Sequence, residues 1–332
     1  PDISAASSSS AIGSAPSRAV DPIHGPVPIT PRRYGTASRS NTGDHSPRSG
    51  TVDGVHDEAI TAAEPLGSGL TNSGDDPDAL DHTGKVVVIT GGTKGIGKVL
   101  VERFLGWGAE VVTCGRTEPD ELPSADGRTA SFVAADVRDP EQAAAVVDAA
   151  VERHGTVDVV INNAGGAPEA DAATASPRFS ESIVRLNLLA PLHVAQRANH
   201  HMQAGAGGVI VNIASVSGTR PSPGTAAYGA AKAGLINLTE SLAVEWAPKV
   251  RVNAVTCGII ETEQADLHYG DADGIAAVAA TIPLGRMGTP TDVADACVFL
   301  ASPLAAYVSG GSLLLHGGGE RPAFLSAANA GN

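Results

Sequence analysis

Cysteine is scarce in this chain of 332 residues. There are three, Cys114, Cys257 and Cys297, and none stands at metal-ligand spacing from another, so no metal site is expected. An odd, sparse count in a globular chain suits a reducing cytosol, and a cytoplasmic location is the expectation. Long apolar runs are missing as well. None reaches the roughly 18 residues that a membrane helix needs, and the N-terminus lacks the apolar stretch of a secretory signal. Positive charge is in deficit: the formal net charge is −14. Such a surface repels a phosphate backbone, so neither nucleic acid nor a membrane is an expected partner. A local basic site for a small anion remains compatible with it. Residues 1–82 contain no Lys, Phe or Trp, and Tyr34 is their only aromatic. This Ser-, Gly- and Pro-rich stretch cannot bury enough apolar surface to offset the entropy of ordering, and is expected to be a disordered extension.

From residue 84 the pattern changes. KVVVIT (85–90) is a short, β-branched apolar run, as expected of a strand buried on both faces. KVLVERFLGWG (98–108) follows with helical spacing at Val99, Leu100, Phe104 and Trp107. Strand-like AEVVTCG, SFVAAD, VDVVINNAG, GVIVNIAS, VRVNAVTCG and SLLLHGGG then alternate with helix-like segments. Among these are PEQAAAVVDAAVERHG, one long helix through RLNLLAPLHVAQRANHHM, another over about Tyr228–Trp246, and DVADACVFLASP. This alternation predicts an α/β, doubly wound parallel sheet (a Rossmann fold) as one domain over residues 83–322, with 323–332 as a C-terminal tail. Ligands of that fold sit at the carboxyl ends of the strands.

Between the first strand and the first helix stands TGGTKGIG (90–97), four glycines in eight residues. Gly91 allows a tight exit from the strand, Gly95 lets backbone approach a pyrophosphate, and Gly97 lets the helix pack on the sheet. The free N–H groups of the helix start would then face the anion. An NAD-binding chain usually carries a carboxylate at the end of the second strand to hold the ribose 2′-OH. Here that strand ends with Gly115 and Arg116, and Lys94 precedes Gly95. Two cations and no carboxylate suit a 2′-phosphate, so NADP(H) is the preferred cofactor, with NAD(H) possible.

Further on, YGAAK places Tyr228 and Lys232 four residues apart, on one face of a helix. Ser215 lies at the carboxyl end of GVIVNIAS, where the fold puts its ligands. A free tyrosine has a pKa near 10. A nearby ammonium and the positive nicotinamide would favour the phenolate and suit the phenol to acid–base work, while the Ser215 hydroxyl could hold a substrate carbonyl.

Together TGGTKGIG, NNAG (162–165), Ser215, YGAAK and SGGSLLLHGGG resemble the short-chain dehydrogenase/reductase family, of the compact, non-extended type, over about residues 83–320. The resemblance implies a catalytic tetrad of Asn187, Ser215, Tyr228 and Lys232. Tyr228 would exchange a proton with the substrate oxygen, Ser215 would steady that oxygen, and Lys232 would bind the nicotinamide ribose. Asn187 would hold a water linking Lys232 to solvent. It further implies cofactor contacts from Thr93 and Ile96 in the glycine turn, from Asp136 and Val137 to the adenine, from Asn163, Ala164 and Gly165, and from Gly258, Ile260 and Thr262 around the nicotinamide carboxamide and phosphate. A dimer or tetramer, through helices at 179–202 and 228–246 with Leu186, Leu188, Leu189, Leu192, Leu235, Leu238, Leu242 and Trp246, is implied too; from the sequence alone, core packing explains most of these residues equally well.

Two positions depart from the family pattern. Cys257-Gly258 replaces the usual Pro-Gly, and His316-Gly317-Gly318 replaces Asp-Gly-Gly. A buried, inert Cys257 and a structural His316 are the expectations. The substrate is expected to be a small-molecule ketone or secondary alcohol. The segment 259–288 would set specificity. Its first half is acidic (Glu261, Glu263, Asp266, Asp271, Asp273), with His268 and Tyr269, and it has no basic cluster for an acyl-carrier phosphate, although Arg178, Arg185 or Arg220 could serve. Alternatives are a 3-oxoacyl-thioester reductase, a hydroxyacyl- or steroid-type dehydrogenase of the same family, or a non-catalytic NADP-binding sensor. An epimerase or dehydratase of the extended type fits the glycine spacing less well.

Overall fold

A computed structural model describes residues 79–322. Seven parallel strands form one sheet in the order β5-β2-β1-β6-β7-β8-β9. These are β1 (Val86–Thr90), β2 (Glu110–Gly115), β5 (Ser131–Ala134), β6 (Val159–Asn162), β7 (Gly208–Ser215), β8 (Val250–Cys257) and β9 (Ser312–Leu315). Two-residue strands β3 (Ser124–Ala125) and β4 (Arg128–Thr129) make a separate hairpin. The chain winds outward from β1 to β2 and β5, then returns to place β6 on the other side of β1. The switch point of the doubly wound sheet therefore lies between β1 and β6, and the crevice there is the natural ligand site.

All five residues of β1 are buried, which explains its continuous run of β-branched side chains. Two apolar layers cover the sheet. One holds Val88, Val112, Val160 and Ile210 against α2 (Pro140–His154) and α4 (Ala190–Ala204). The other holds Ile89, Ile161, Val211 and Val255 against α1 (Gly95–Gly106) and α8 (Pro290–Ala301). α2 shows how local signals set its bounds. Asp139 caps its first turn by accepting from the N–H groups of Glu141 and Gln142, Pro140 fits the first turn, and Gly155 ends it at φ 82°.

Three details differ from the sequence reading. The extension expected over 1–82 lies outside the described residues except for its last four, and these already pack on the domain. Ala79 and His82 are buried, and the His82 ring meets Phe104 edge-on at 5.1 Å. α1 starts at Gly95 rather than Lys98. The long helix expected through RLNLLAPLHVAQRANHHM is α3 (Pro177–Val184) and α4 joined by a π-helical turn, Arg185–Leu189.

The apolar residues expected at a paired surface go mainly to the core. Leu235 and Leu242 are buried, and Leu186, Leu192, Leu238 and Trp246 pack against the core, while Leu189 is exposed. Among the described residues, five of the ten exposed large apolar side chains lie along the segment from α8 to β9: Phe299, Leu304, Tyr307, Leu313 and Leu314.

Candidate functional site

The glycine turn leaves β1 at the switch point. Gly91 and Gly95 adopt φ 67° and 54°, a region that side-chain-bearing residues avoid. A Cβ on Gly97 would stand 2.1 Å from the Gly91 carbonyl oxygen, so only glycine lets α1 close onto the strand exit. α1 takes no side-chain cap from its N-cap residue, Lys94. Its N–H groups open onto a groove of about 680 Å³ bordered by Thr93, Lys94, Lys98, Glu261, Thr262 and Glu263. A helix start with no cap from its own N-cap residue, glycine-only packing and two lysines beside it fits the diphosphate of a dinucleotide. Ile96 follows within the first turn of α1.

Arg116, directly after β2, is exposed, as is Lys94, and neither forms a salt bridge among the described residues. Asp136 is held below its ordinary carboxylate range, first by the hydrogen bond from Arg138. Its carboxylate accepts from Arg138 Nε at 2.9 and 3.1 Å. The Val137 side chain is packed in the core, which leaves its backbone for any contact with a base. Asn163 donates from Nδ2 to the carbonyls of Thr90 and Gly91 at 3.0 and 3.1 Å, and the Asn163 and Ala164 N–H groups both donate to Thr90 Oγ1 at 3.0 Å. These bonds tie the β6 exit to the glycine turn across the crevice.

Ser215 ends β7, and Tyr228 and Lys232 lie on α5 (Ala226–Glu245). The 3₁₀ turn Val216–Gly218 after Ser215 lies directly against α5. A Cβ on Gly218 would be 2.6 Å from Ala233 N, and one on Gly229 would be 2.8 Å from Ser217 O. Two glycines therefore let the serine turn reach the tyrosine helix. Ser215 Oγ accepts from Ser217 N–H at 3.1 Å, which keeps its own proton for another acceptor.

The electrostatics differ from the sequence expectation. The Tyr228 phenol is pushed above its ordinary value by burial, a hydrogen bond with Ser215 opposes this, and Cys257 adds to the rise. Lys232 lies 5.6 Å from the Tyr228 ring centroid, and burial brings it down to about 8. Its Nζ donates to the Ile213 carbonyl at 2.7 Å. The surroundings of Tyr228 thus do not favour the phenolate, because desolvation outweighs the opposing effect of Ser215.

Asn187 is fully buried in the π-helical turn. Its Oδ1 accepts from Gly166 N–H at 2.9 Å, and its Nδ2 donates to the carbonyls of Gly166 and Ile183 at 2.9 and 3.0 Å. The side chain pins Gly165–Gly166 beside Lys232. On the β8 side, Gly258 donates its N–H to Leu315 O at 2.8 Å, and a Cβ there would be 2.7 Å from His316 Cβ. His316 is thus a packing partner of the β8 exit. Ile260 bridges Gly288, and Thr262 follows it along the groove.

Cys257 pairs in register with Ser215 and is buried, its thiol pushed up to about 12 by burial. Cys114 is raised to about 11 and Cys297 well above its ordinary value, for the same reason. Ellman's reagent is therefore expected to find no fast-reacting thiol in the native protein and three after denaturation.

Sequence reasoning missed a buried amide chain. Asn162 Nδ2 donates to Asn212 Oδ1 at 2.9 Å, Asn212 Nδ2 to Thr239 Oγ1 at 2.9 Å, and Thr239 Oγ1 to Leu235 O at 2.8 Å. It fixes α5 relative to β6 and β7, and hence Tyr228 relative to the crevice. Polar residues inside two apolar strands were the available signal. A second contact also went unforeseen: Gly95 N–H donates to Glu263 Oε1 at 2.8 Å.

Residues 91–320 match the family model described as Enoyl-(Acyl carrier protein) reductase. The chain is 35% identical over 242 residues to a 3-oxoacyl-(acyl-carrier-protein) reductase of Vibrio cholerae, covering 72% of this chain and 98% of the relative. It is 37% identical over 250 residues to 3beta-hydroxysteroid dehydrogenase 1 of Eggerthella lenta, covering 72% and 94%. Among solved structures it resembles the ligand-free aldohexose dehydrogenase of Thermoplasma acidophilum, with TM-score 0.67 and 30% identity over 77% of this chain and 98% of that one. A short-chain type dehydrogenase/reductase from Mycobacterium marinum gives TM-score 0.67 and 30% identity over 74% and 99%. Among the described residues no helix is long and apolar enough to cross a membrane.

Proposed function

The chain belongs to the short-chain dehydrogenase/reductase family of oxidoreductases, and on that premise we propose that it interconverts a small-molecule ketone and secondary alcohol with NADP(H), Tyr228 being the general acid/base. The observation that carries this reading is the meeting of three groups at the carboxyl end of β7. The Ser215 hydroxyl acts on the Tyr228 phenol, lowering its pKa against burial, and the Lys232 ammonium lies 5.6 Å from the phenol ring. When bound, the nicotinamide supplies the hydride in reduction and accepts it in oxidation. In reduction Tyr228 Oη gives its proton to the carbonyl oxygen, and in oxidation it takes the hydroxyl proton. Ser215 Oγ donates a hydrogen bond to that same oxygen. Lys232 holds the ribose hydroxyls from beside Gly165, and Asn187 positions it through the Gly165–Gly166 backbone. A raised phenol pKa suits the acid role at neutral pH.

Beside Tyr228 lies a cavity of about 80 Å³ lined by Ala167, Phe179, Ile183, Thr225 and Ala226, which suits a small apolar substituent on the ketone. Arg220 is neutralised by Glu320 at 2.5 Å, which disfavours it as an anchor for an acyl-carrier phosphate. The cytoplasmic location belongs to the same proposal and is supported by three separately buried free thiols. So does a homo-oligomer, supported by the exposed apolar side chains along the segment from α8 to β9.

The test is loss of reduced-nicotinamide absorbance with a ketone panel, using NADPH and NADH in parallel. Arg116→Asp is expected to reduce the NADPH/NADH ratio of kcat/KM roughly 10- to 100-fold, because a charge-assisted phosphate contact is replaced by a carboxylate that suits a ribose hydroxyl. An unchanged or higher ratio would refute the NADP assignment.

A further inference from the structure

We propose that Glu263 is a built-in competitor of the cofactor: its carboxylate holds the position of a cofactor phosphate at the start of α1, and dinucleotide binding must displace it. The proposal rests on the reading that this groove takes a pyridine nucleotide.

Glu263 reaches Gly95 from 168 positions away, so the contact is not a local cap. It comes from the loop between the Ile260–Gly288 bridge and α6 (Ala265–Tyr269), across the mouth of the groove from the glycine turn. Its Oε1 accepts the Gly95 N–H at 2.8 Å, the first donor of a helix whose N-cap residue, Lys94, supplies no side-chain bond. The space in front of Gly95 is otherwise open. From its ideal Cβ position, the atoms met within 4 Å are the two Glu263 carboxylate oxygens, at 3.8 and 3.9 Å.

A carboxylate and a phosphate are alike as acceptors for such an N–H, and each is favoured by the partial positive charge of a helix start. They cannot both take the same donor. Lys94 and Lys98 on the same rim strengthen the attraction for whichever anion is present. With the carboxylate docked, the protein is in a state that excludes the phosphate, and apparent cofactor affinity falls by the fraction of molecules in that state.

Glu263 is exposed, so water and salt weaken the competition and the expected effect is moderate. The experiment is isothermal titration of the full chain and of its Glu263→Gln and Glu263→Ala variants with NADPH, and separately with adenosine 2′-monophosphate, which has no diphosphate to reach Gly95. Hydrogen exchange at the Gly95 amide is read in the protein without nucleotide. The NADPH Kd is expected to fall about three- to tenfold in both variants, with the Kd of the fragment unchanged and exchange at Gly95 faster.

Equal or weaker NADPH binding in the variants, with wild type binding NADPH, would overturn the competition and leave the cofactor reading intact. A parallel gain for the fragment would overturn it too, because the effect would then be a general loss of negative charge. Unaltered exchange at Gly95 would show that the carboxylate does not hold this donor in solution. Failure of all three proteins to bind NADPH would overturn the cofactor reading and the competition together.

Discussion

Tyr228→Phe is expected to lower kcat for ketone reduction by about 10²- to 10⁴-fold, the range contributed by a positioned proton donor, while NADPH still binds. Phenylalanine keeps the ring beneath the Lys232 ammonium, 5.6 Å from its centroid, and so keeps the packing of α5. Only the phenol hydroxyl is removed. The pH profile of the wild type supplies an independent check. Burial raises the Tyr228 pKa, so the phenol stays protonated through neutral pH. Reduction, which uses the protonated form, is expected to be flat across neutrality and to fall as pH rises through the phenol's pKa. Oxidation, which uses the phenolate, is expected to climb over the same range. Steady-state rates in both directions test this. A variant within tenfold of wild type, or a reduction rate that declines already below neutrality, would remove Tyr228 from the proton-donor role.

The features legible in the sequence are those encoded over a few residues. KVVVIT could only be a doubly buried strand, and β1 has all five residues buried. The four-residue step from Tyr228 to Lys232 fixes a shared helix face, whatever the surroundings. Glycine spacing told where the chain turns from β1 into α1, although it did not give the helix start at Gly95, because propensity says little about which residue first turns helical. Features set by distant residues stayed hidden. The sign of the Tyr228 shift depends on how completely α5 and β7 exclude water, and spacing does not report that. The amides of Asn162 and Asn212 read as ordinary strand residues until the register of β6 and β7 places them side by side. Asn187 came from family likeness alone. Its bonds to Gly166 and Ile183 need the π-helical turn, for which the sequence carried no signal. The four residues before the expected domain start, Ala79–His82, follow a polar stretch and read with it as linker, yet His82 is buried against Phe104.

Gly218→Ala is the second large effect expected, and it tests whether the approach of two backbones sets the catalytic geometry. The added methyl would lie 2.6 Å from Ala233 N and 2.7 Å from the Lys232 carbonyl carbon, both backbone atoms of α5. Neither can swing aside as a flexible side chain would, so the turn Val216–Gly218 must retreat. Ser215 retreats with it, because its Oγ is bonded to Ser217 N–H at 3.1 Å within the same turn. A displacement of about 1 Å at a reacting centre costs about 100-fold in rate, and that loss is expected in kcat. The diphosphate cradle lies on β1 and α1, away from the disturbed turn, so the NADPH Kd is expected to change far less than kcat. A stability loss of about 1–3 kcal/mol from overpacking is expected in denaturant melts. Ser215→Ala distinguishes misplacement from general damage. Made in wild type, it removes the hydroxyl's full contribution; made in Gly218→Ala, it removes a hydroxyl already out of reach and should cost little more. Fully additive losses in the double variant would mean that the glycine serves something other than the serine's position, and that Ser215 reaches the substrate oxygen without it.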